Sequence, residues 1–430
     1  MKEVTVIGAG LAGCECALQL AKHNVEVTLY DMKPNKMSPA HHNPDFCELV
    51  CSNTLKSLSL DFASGLLKEE MRLLGGEVIA CADLCRVPAG DTLAVDRVQF
   101  AHMVTEKIRT NPHIKVIGEE VKHLDLSKPT IIATGPLTSD TLASELKNIV
   151  GEGLYFYDAI APIIDVNSID KSKMFIADRW NTEQGDHINC PMNRDEYTKF
   201  WEALITAERV PLKVFEKEKS FEGCLPVEVM AKRDFDALRF GPMKPIGFTQ
   251  LEKPFAVLQL RKENISGDMY NLVGFQTNLT YAEQKRVFSL IPALKNAVFL
   301  RYGAMHRNSY INAPKLLTAK FNLKTHPNIF FAGQLSGVEG YVESLASGLL
   351  SAIYMIQYLN NVDKKPLSIN TALGALGNYL VSASESNFQP MHINWGLLAP
   401  VYDSQHDKKK QMVERALNEI KELKDNIWNN

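Results

Sequence analysis

The pattern of hydrophobic and polar positions in the first thirty residues predicts a strand, a turn, a helix and a second strand. An apolar run over 4–7 precedes GAGLAG, a helical pattern follows, and VEVTLYD ends at Asp31. Gly8, Gly10 and Gly13 have the GxGxxG spacing. In this context glycine permits a tight turn, a close approach of pyrophosphate to the backbone, and close contact between helix and strand. The pattern therefore predicts a dinucleotide-binding βαβ unit.

Two features of this unit indicate how a dinucleotide would lie on it. The turn at Ala9 and Gly10 leads into the helix N-terminus, whose backbone N–H groups favour anions. Asp31 is placed to accept hydrogen bonds from the adenosine ribose. This arrangement favours an unphosphorylated ribose, such as that of FAD or NAD. The alternative is a glycine turn that binds no ligand.

Two later segments repeat the pattern of a strand that ends at a glycine. They are PTIIATGP at 129–136 and NIFFAGQLSGVEGYVESLASGL at 328–349. In the second segment the strand ends before Gly333 and Gln334, and a long helix of small residues begins near Gly340. A helix that starts beside a cofactor suits flavin or pyrophosphate oxygens.

The two glycine motifs lie at opposite ends of the chain, so the nucleotide-binding domain has to be split in sequence. The intervening segment mixes strand-like and helical patterns, including PFAVLQLR and NRDEYTKFWEALITAE. We predict an α/β fold with a Rossmann-like FAD-binding domain, formed by 1–155 and 300–430. A second α/β domain, over 156–299, is inserted between these two parts.

Composition limits the compartment and the partners. The 430 residues carry 47 basic and 50 acidic groups, a net charge of −3, and 45% of them are hydrophobic, as in ordinary globular proteins. Near-neutral charge argues against a wholly basic surface but allows a local basic patch for phosphates. The N-terminus lacks the features of a secretory signal, so we expect a cytoplasmic protein. The uncharged stretch 344–362 contains polar residues and predicts a buried helix, not a membrane span.

Two of the eight cysteines stand in polar loop contexts that suit a reactive thiol. Cys51 lies in FCELVCSNTLKS, beyond the second strand, and Cys224 lies between a glycine and a leucine-proline pair in FEGCLPVEVMAKR. Thiols in such loops are more often accessible than cysteines within apolar runs. A nucleophilic role and a structural role stay open for both. Cysteine spacing and the lack of a histidine partner predict no metal site.

Two loops bring cations together near prolines or small residues. RFGPMKPIG contains Arg239 and Lys244, and RYGAMHRNSYINAP contains Arg301, His306 and Arg307. Rigid loops that carry cations suit phosphate or carboxylate ligands, so an anionic substrate is expected. The alternatives are exposed salt bridges and a structural histidine.

Long segments of the chain resemble those of a known family. They are GAGLAG, PAHHNPDFCELVCSNTLKS, PAGDTLAVDR, FEGCLPVEVMAKR, RFGPMKPIG, YNLVGFQT, RYGAMHRNSYINAP and FFAGQLSGVEGYVESLASG. Over nearly its whole length the chain resembles the folate- and FAD-dependent tRNA (uracil-5-)-methyltransferases. The resemblance implies a flavoprotein that takes a one-carbon unit from methylenetetrahydrofolate and uses NAD(P)H. Its expected product is 5-methyluridine in the T loop of tRNA.

The resemblance also implies that both loop cysteines take part in the chemistry. Cys51 matches the cysteine of the family's ELVCSN segment, and Cys224 matches that of its FEGC segment. A thiolate that adds to C6 of uracil makes C5 a nucleophile, which replaces one hard step by two easier ones. We assign this attack to Cys224. Cys51 is then expected near the flavin, in proton transfer or in protection of the uracil position, and exchanged roles are the alternative.

Ligand-binding residues follow from the same resemblance. The residues that match the ADP end of FAD are Gly8, Ala9, Gly10, Gly13 and Asp31. The residues that match the second flavin motif are Gly333, Gln334 and Gly340. His306 is a candidate for stacking on the folate pterin. Arg307 and Lys244 are expected on the same folate and RNA side, which assigns the inserted domain to these two substrates.

Three alternatives stay open at the level of sequence. The family resembles paralogues that methylate a uridine of large-subunit ribosomal RNA, so ribosomal RNA is the alternative target. The chain also fits an FAD and NAD(P)H oxidoreductase, which would need neither Cys51 nor Cys224, or an RNA-binding flavoprotein without turnover. The sequence does not distinguish NADH from NADPH, and it does not indicate an oligomeric state.

Overall fold

The computed structural model describes most of the chain. The described ranges are 2–38, 40–151, 154–180, 185–211, 225–248, 254–401 and 407–428, with backbone alone at 154–159, 306, 307 and 387. Thirteen α-helices occur in these ranges: α1 (Leu11–Lys22), α2 (Ala63–Leu73), α3 (Glu77–Leu84), α4 (Arg97–Arg109), α5 (Asp140–Val150), α6 (Arg194–Ile205), α7 (Val227–Ala231), α8 (Ala237–Phe240), α9 (Tyr281–Phe288), α10 (Ala313–Leu316), α11 (Tyr341–Leu359), α12 (Ala372–Ser382) and α13 (Lys408–Leu423).

A five-stranded parallel sheet combines strands from both ends of the chain. In spatial order its strands are β16 (Ile329–Phe331), β7 (Thr130–Ile132), β1 (Glu3–Ile7), β2 (Glu26–Tyr30) and β6 (Ile114–Ile117). The predicted strand, turn, helix and strand at the N-terminus are therefore present. Because β16 pairs beside β7, the nucleotide-binding sheet is completed only by the C-terminal segment. The predicted class, an α/β fold with a Rossmann-like domain split in sequence, is confirmed.

The intervening segment forms a second sheet of six antiparallel strands. Its strands are β10 (Phe175–Ile176), β11 (Ile188–Met192), β12 (Ala256–Lys262), β13 (Met269–Leu272), β9 (Ile163–Asp165) and β14 (Phe299–Arg301). Smaller pairings join β3 (Thr54–Ser57), β5 (Thr92–Val95) and β4 (Arg86–Val87), and also β8 (Leu154–Ala159) with β15 (Met305–Tyr310).

Two hydrophobic cores accompany the two large sheets. The first draws on both ends of the chain, and the second draws on residues between Ile164 and Ala297. Because the two cores draw on different segments, we propose that the FAD-binding domain comprises 1–155 and 300–430 and the inserted domain 156–299. None of the helices in the described part of the chain has the length and apolar character needed to cross a lipid bilayer.

Helix α1 packs on the buried helix α11 through small residues. A Cβ atom on Gly348 would lie 2.5 Å from the carbonyl oxygen of Ala12, so glycine is required for this close approach. The thiol of Cys16 donates to the carbonyl of Gly348, with 3.1 Å between sulfur and oxygen. Cys14 and Cys16 are fully buried, and we interpret them as packing residues.

A buried glutamate ties α2 to the start of α12. The two carboxylate oxygens of Glu70 accept from the backbone N–H groups of Ala372 at 2.7 Å and Leu373 at 2.8 Å, which otherwise lack partners at a helix N-terminus. Burial raises the pKa of Glu70 to about 8, although both N–H donors act to lower it. The fold therefore favours the protonated carboxyl.

Replacing this glutamate should change how stability depends on pH. Between its ordinary pKa of 4.5 and about 8, the folded protein holds a proton at Glu70 that the unfolded chain releases, so stability falls as pH rises through this window. Glu70→Gln cannot ionise. We expect its unfolding free energy, relative to wild type, to improve by roughly 4 kcal/mol between pH 5 and pH 8.5 in urea denaturation. Glu69→Gln on the same helix is the control, and an equal difference at both pH values would contradict the expectation.

Candidate active site

A large cavity opens at the carboxyl ends of β1, β2, β7 and β16, where nucleotides bind in open α/β sheets. Its wall on this side begins at Gly8, Asp31, Ala133 and Gly333, each just beyond one of these strands. The opposite wall belongs to the second sheet. An interior volume of about 470 Å³ is in the range of cofactor pockets. The cavity therefore lies between the two sheets.

The three glycines of the first motif have different physical roles. Gly8 has φ of +100°, and a Cβ atom there would lie 2.5 Å from the carbonyl oxygen of Ala133. A Cβ atom on Gly13 would lie 1.8 Å from the carbonyl oxygen of Gly8, so Gly13 permits contact between helix and strand. At Gly10 a Cβ atom would meet nothing within 4 Å and would project into open space. This open cradle at the start of α1 fits a pyrophosphate group.

Asp31 lies at the adenosine end of the cavity. One carboxylate oxygen accepts from the backbone N–H of Ala9 at 2.7 Å, and the other accepts from that of Lys33 at 2.8 Å. These contacts orient the carboxylate without using all of its lone pairs, since an ionised carboxylate has about four acceptor sites. Asp31 lines the cavity and can still accept from ribose hydroxyls.

The second glycine motif forms the other end of the cofactor wall. Gly333 has φ of +73° and donates its N–H to the hydroxyl of Ser347 at 2.7 Å. Gly340, with φ of +108°, is the N-cap of α11, and the amide of Gln334 donates to Glu339 at 2.5 Å. The first N–H groups of α11 lack intrahelical partners and lie beside the cavity, which suits flavin carbonyl oxygens.

A buried charged cluster, which sequence patterns did not single out, lies beside Gly340. Glu343 is completely buried and accepts from the Lys56 ammonium at 2.5 Å and from the N–H of Ile393 at 3.0 Å. The imidazole Nδ1 of His392 lies 2.9 Å from the same ammonium. Burial, with the charge of Lys56, lowers the pKa of His392. Lys56 and His392 line the cavity, so they add polarity where a flavin ring would lie.

Cys51 lines the cavity and is held by its backbone. Its N–H donates to the hydroxyl of Tyr341, the first residue of α11, at 2.7 Å. Arg97 donates to the carbonyl oxygens of Leu49 at 2.6 Å and Cys51 at 3.5 Å, and Arg301 donates to that of Val50 at 2.7 Å. The loop that carries the thiol is therefore positioned by side chains from three distant elements.

Arg97 also connects this loop to the second sheet. Its Nε donates to the carboxylate of Glu263 at 2.5 Å, and both side chains are largely buried. Beside it, Asn53 donates to the carbonyl oxygens of Val95 at 3.0 Å and Lys262 at 2.9 Å. Sequence patterns did not predict Arg97, because its contacts join residues that are far apart along the chain.

The structure does not place the remaining predicted site residues, Lys244, His306, Arg307 and Cys224, on the cavity wall. Lys244 is exposed and does not line the cavity, and its carbonyl oxygen accepts from Arg179 at 2.5 Å. His306 and Arg307 belong to β15 by their backbone, opposite 158 and 157 of β8, but their side chains lie outside the described atoms. Cys224 lies outside the described residues. Within the described ranges, no group of three or more His, Cys, Asp or Glu side chains could hold a metal ion.

The split parallel sheet, the open glycine cradle and the second motif at the start of α11 define a flavoprotein of the FAD-binding class. The sequence model described as "Glucose inhibited division protein A" matches residues 3–363. A crystal structure of Aquifex aeolicus GidA shares the fold, with a TM-score of 0.73, 14% identity, and coverage of 99% of this chain and 74% of that chain.

Two relatives are similar along their whole lengths. A protein of Acetivibrio thermocellus is 52% identical over 99% of this chain and 98% of its own length. A protein of Listeria innocua is 49% identical over 99% of this chain and 100% of its own length. Both are named methylenetetrahydrofolate–tRNA-(uracil-5-)-methyltransferase TrmFO. The chain belongs to the TrmFO family, and the resemblance predicted from its motifs is confirmed.

Proposed function

We propose that the protein is a methylenetetrahydrofolate-dependent tRNA (uracil-5-)-methyltransferase that forms 5-methyluridine in the T loop and uses NAD(P)H as the reductant. The observation that carries this proposal is the position of Cys51, which lines the same cavity as both glycine motifs. A thiol that lines a nucleotide-binding cavity suits proton transfer to a bound base or covalent chemistry on it, and a simple oxidoreductase would need neither. The names of the relatives support the substrate class.

Different residues along the cavity hold different parts of FAD. Gly10 and the N-terminus of α1 bind the pyrophosphate, Asp31 binds the adenosine ribose, and Gly333 with Gly340 flanks the flavin ring. FAD, once reduced by NAD(P)H, would supply the two electrons that convert the one-carbon unit from a methylene to a methyl group. The protein contributes placement and electrostatics.

The two cysteines are assigned different steps. Cys224 adds as thiolate to C6 of uracil, so that C5 gains nucleophilic character. Cys51, near the flavin end of the cavity, assists proton transfer at the base. The exchange of these roles is the alternative, and the adduct experiment in the Discussion separates them.

The two RNA targets are separated by one assay. The holoenzyme is given labelled methylenetetrahydrofolate and NAD(P)H, with tRNA transcript in one tube and large-subunit ribosomal RNA in another. We expect label in tRNA at the T-loop uridine, and a T-loop transcript with cytidine at that position should stay unlabelled. Label in ribosomal RNA alone would show that ribosomal RNA, and not tRNA, is the substrate. NAD(P)H oxidation without label in either RNA would support the oxidoreductase, and RNA binding without turnover would support the non-catalytic flavoprotein.

Substrate contacts on the folate and RNA side of the flavin are proposed for Lys244, His306 and Arg307, whose cations and ring suit folate carboxylates, a pterin and RNA phosphates. Lys244 is exposed, so its ammonium is accessible to a polyanion.

Removing this exposed charge should weaken substrate binding and spare the cofactor. For Lys244→Ala we expect tRNA affinity or folate affinity to fall by about 3-fold to 10-fold, with FAD content unchanged, because one phosphate or carboxylate contact is lost. Lys199→Ala, which removes an exposed charge on helix α6 of the same segment, is the control. Filter binding at two salt concentrations measures the tRNA affinity and its dependence on salt. Equal affinities for both substrates in Lys244→Ala and wild type would remove Lys244 from the site.

A further inference from the structure

Two polar side chains from neighbouring strands of the second sheet face the cavity. Arg261 on β12 and Asn271 on β13 are direct cross-strand partners, and both line the cavity that Cys51 also lines. Side chains of directly opposed residues lie on the same face of a sheet, about 5 Å apart at Cβ. They therefore present a guanidinium and an amide side by side.

Both side chains have unused hydrogen-bonding capacity. Asn271 is only 2% exposed, and its Nδ2 is buried without a hydrogen-bond partner. The Nε of Arg261 donates to the side-chain oxygen of Asn53 at 3.4 Å, and no carboxylate in the described part of the chain lies within ion-pair distance of this guanidinium. Leaving a buried donor unpaired is costly, so its retention in a cavity indicates a ligand that completes the bonds.

The charges around these side chains favour an oxygen that carries negative charge. Arg97 lies close enough to repel both Arg261 and Arg301, and the carboxylate of Glu263 that attracts Arg261 also binds Arg97. Burial lowers the pKa of Arg261, and the neighbouring Arg97 lowers it further. Cys51 is among the groups that interact electrostatically with Arg261. Two guanidinium groups, those of Arg97 and Arg261, thus share one carboxylate, and Arg261 lies close to the thiol.

We propose that Arg261 and Asn271 bind the imide edge of the target uracil and stabilise the negative charge that develops on its carbonyl oxygen. This inference rests on the proposed function. When a thiolate adds to C6, the sulfur–carbon bond forms and the C5–C6 π electrons move into the C5–C4–O4 system as an enolate. No electrons enter or leave the base in this step, and the guanidinium N–H groups donate to the new oxyanion.

The amide distinguishes a uracil edge from a phosphate or a carboxylate. Uracil offers two carbonyl acceptors and an N3–H donor, and the side chain of asparagine offers both a donor and an acceptor. A phosphate or carboxylate offers acceptors only and would use only the donor of this amide, whereas a uracil edge uses its donor and its acceptor together. Cytosine replaces the C4 carbonyl by an amino group, so the guanidinium of Arg261, which has donors only, would find no acceptor there.

The test uses holoenzyme with methylenetetrahydrofolate, NAD(P)H and a tRNA transcript that contains 5-fluorouridine. For Arg261→Gln we expect the covalent protein–RNA adduct to form about 10²-fold to 10³-fold more slowly, as for the loss of an oxyanion donor. Arg261→Lys should recover part of this rate, because it keeps the charge without the fork. Affinities for unsubstituted tRNA and for folate, and FAD content, should stay within about 3-fold of wild type. Arg286→Gln, whose exposed side chain lies on α9, is the matched control.

Several outcomes would overturn the inference. Adduct formation by Arg261→Gln at the wild-type rate would do so directly. Weaker folate binding with a normal adduct rate would assign Arg261 to the folate carboxylate, and a reduced salt dependence of tRNA binding would assign it to phosphate. If Arg261→Gln loses FAD, the adduct rate, the tRNA and folate affinities and the FAD content of Asn271→Ser test the inference instead. If wild type forms neither adduct nor methylated RNA, the proposed function fails first, whereas a normal wild type beside an unaffected variant rejects this inference alone.

Discussion

Cys224→Ala is expected to abolish methylation, by about three orders of magnitude or more, while the protein still binds FAD and reduces it with NAD(P)H. The physical reason is that the thiolate adds to C6 and makes C5 nucleophilic, and no other group can replace that covalent bond. The variant should also form no adduct with RNA that contains 5-fluorouridine. Cys51→Ala is expected to abolish methylation as well, because its thiol lines the cavity at the flavin end.

The adduct separates the roles of the two thiols. Trapping that survives in Cys224→Ala and disappears in Cys51→Ala would reverse our assignment. Absence of trapping in wild type and in both variants would remove the covalent mechanism. Cys190→Ala is the control, because Cys190 is completely buried in β11, where burial raises the pKa of its thiol to about 12. Loss of FAD in either loop variant would mean that the cysteine is structural.

Gly10→Leu is expected to give colourless protein that folds but binds FAD at least about 100-fold more weakly. At this position a side chain would meet no protein atom within 4 Å, and the backbone φ of −80° is accessible to any residue. The leucine side chain would instead occupy the space in which the pyrophosphate approaches the N-terminus of α1. Flavin absorbance of the purified variant, and titration of the apoprotein with FAD, measure the effect.

Two further glycine variants make this experiment selective. Gly10→Ala adds one methyl group and should lose less affinity than Gly10→Leu. Gly13→Ala should lower the thermal midpoint instead, because its Cβ atom would lie 1.8 Å from the carbonyl oxygen of Gly8. Unchanged flavin content in Gly10→Leu would reject the assignment of this glycine to the cofactor.

Much of the nucleotide-binding unit could be predicted from sequence because its determinants are local. The spacing of Gly8, Gly10 and Gly13 between two apolar strands reflects backbone geometry within a few residues, and the helix at Tyr341 starts directly after its glycine motif. The split sheet followed from the same reasoning, since two such motifs at opposite ends of a chain require strands that pair across it.

Sequence placed Cys51 in a polar loop on the side of the sheet where nucleotides bind, but it did not indicate the groups that surround this thiol. Arg97 is the first residue of an ordinary amphipathic helix, and Arg261 follows an apolar run in a strand. Neither pattern marks these residues as part of a site. The roles that the motif indicates for its glycines, pyrophosphate approach and helix–strand contact, agree with the open space at Gly10 and the close contact at Gly13. The surroundings of the thiol depend instead on the atoms opposite it.

By itself the sequence determined the α/β class and the two nucleotide-binding motifs, and the resemblance of its motifs indicated the family and placed Cys51 near the flavin. Tertiary structure alone decided that Arg97 and Arg301 hold the Cys51 loop, that Lys56 and His392 meet at Gly340, and that Arg261 and Asn271 share one wall. The physical reason is range. Turns, caps and periodicity act between neighbours along the chain, whereas charge pairing and unused donors depend on distances between segments that only the packed fold brings together.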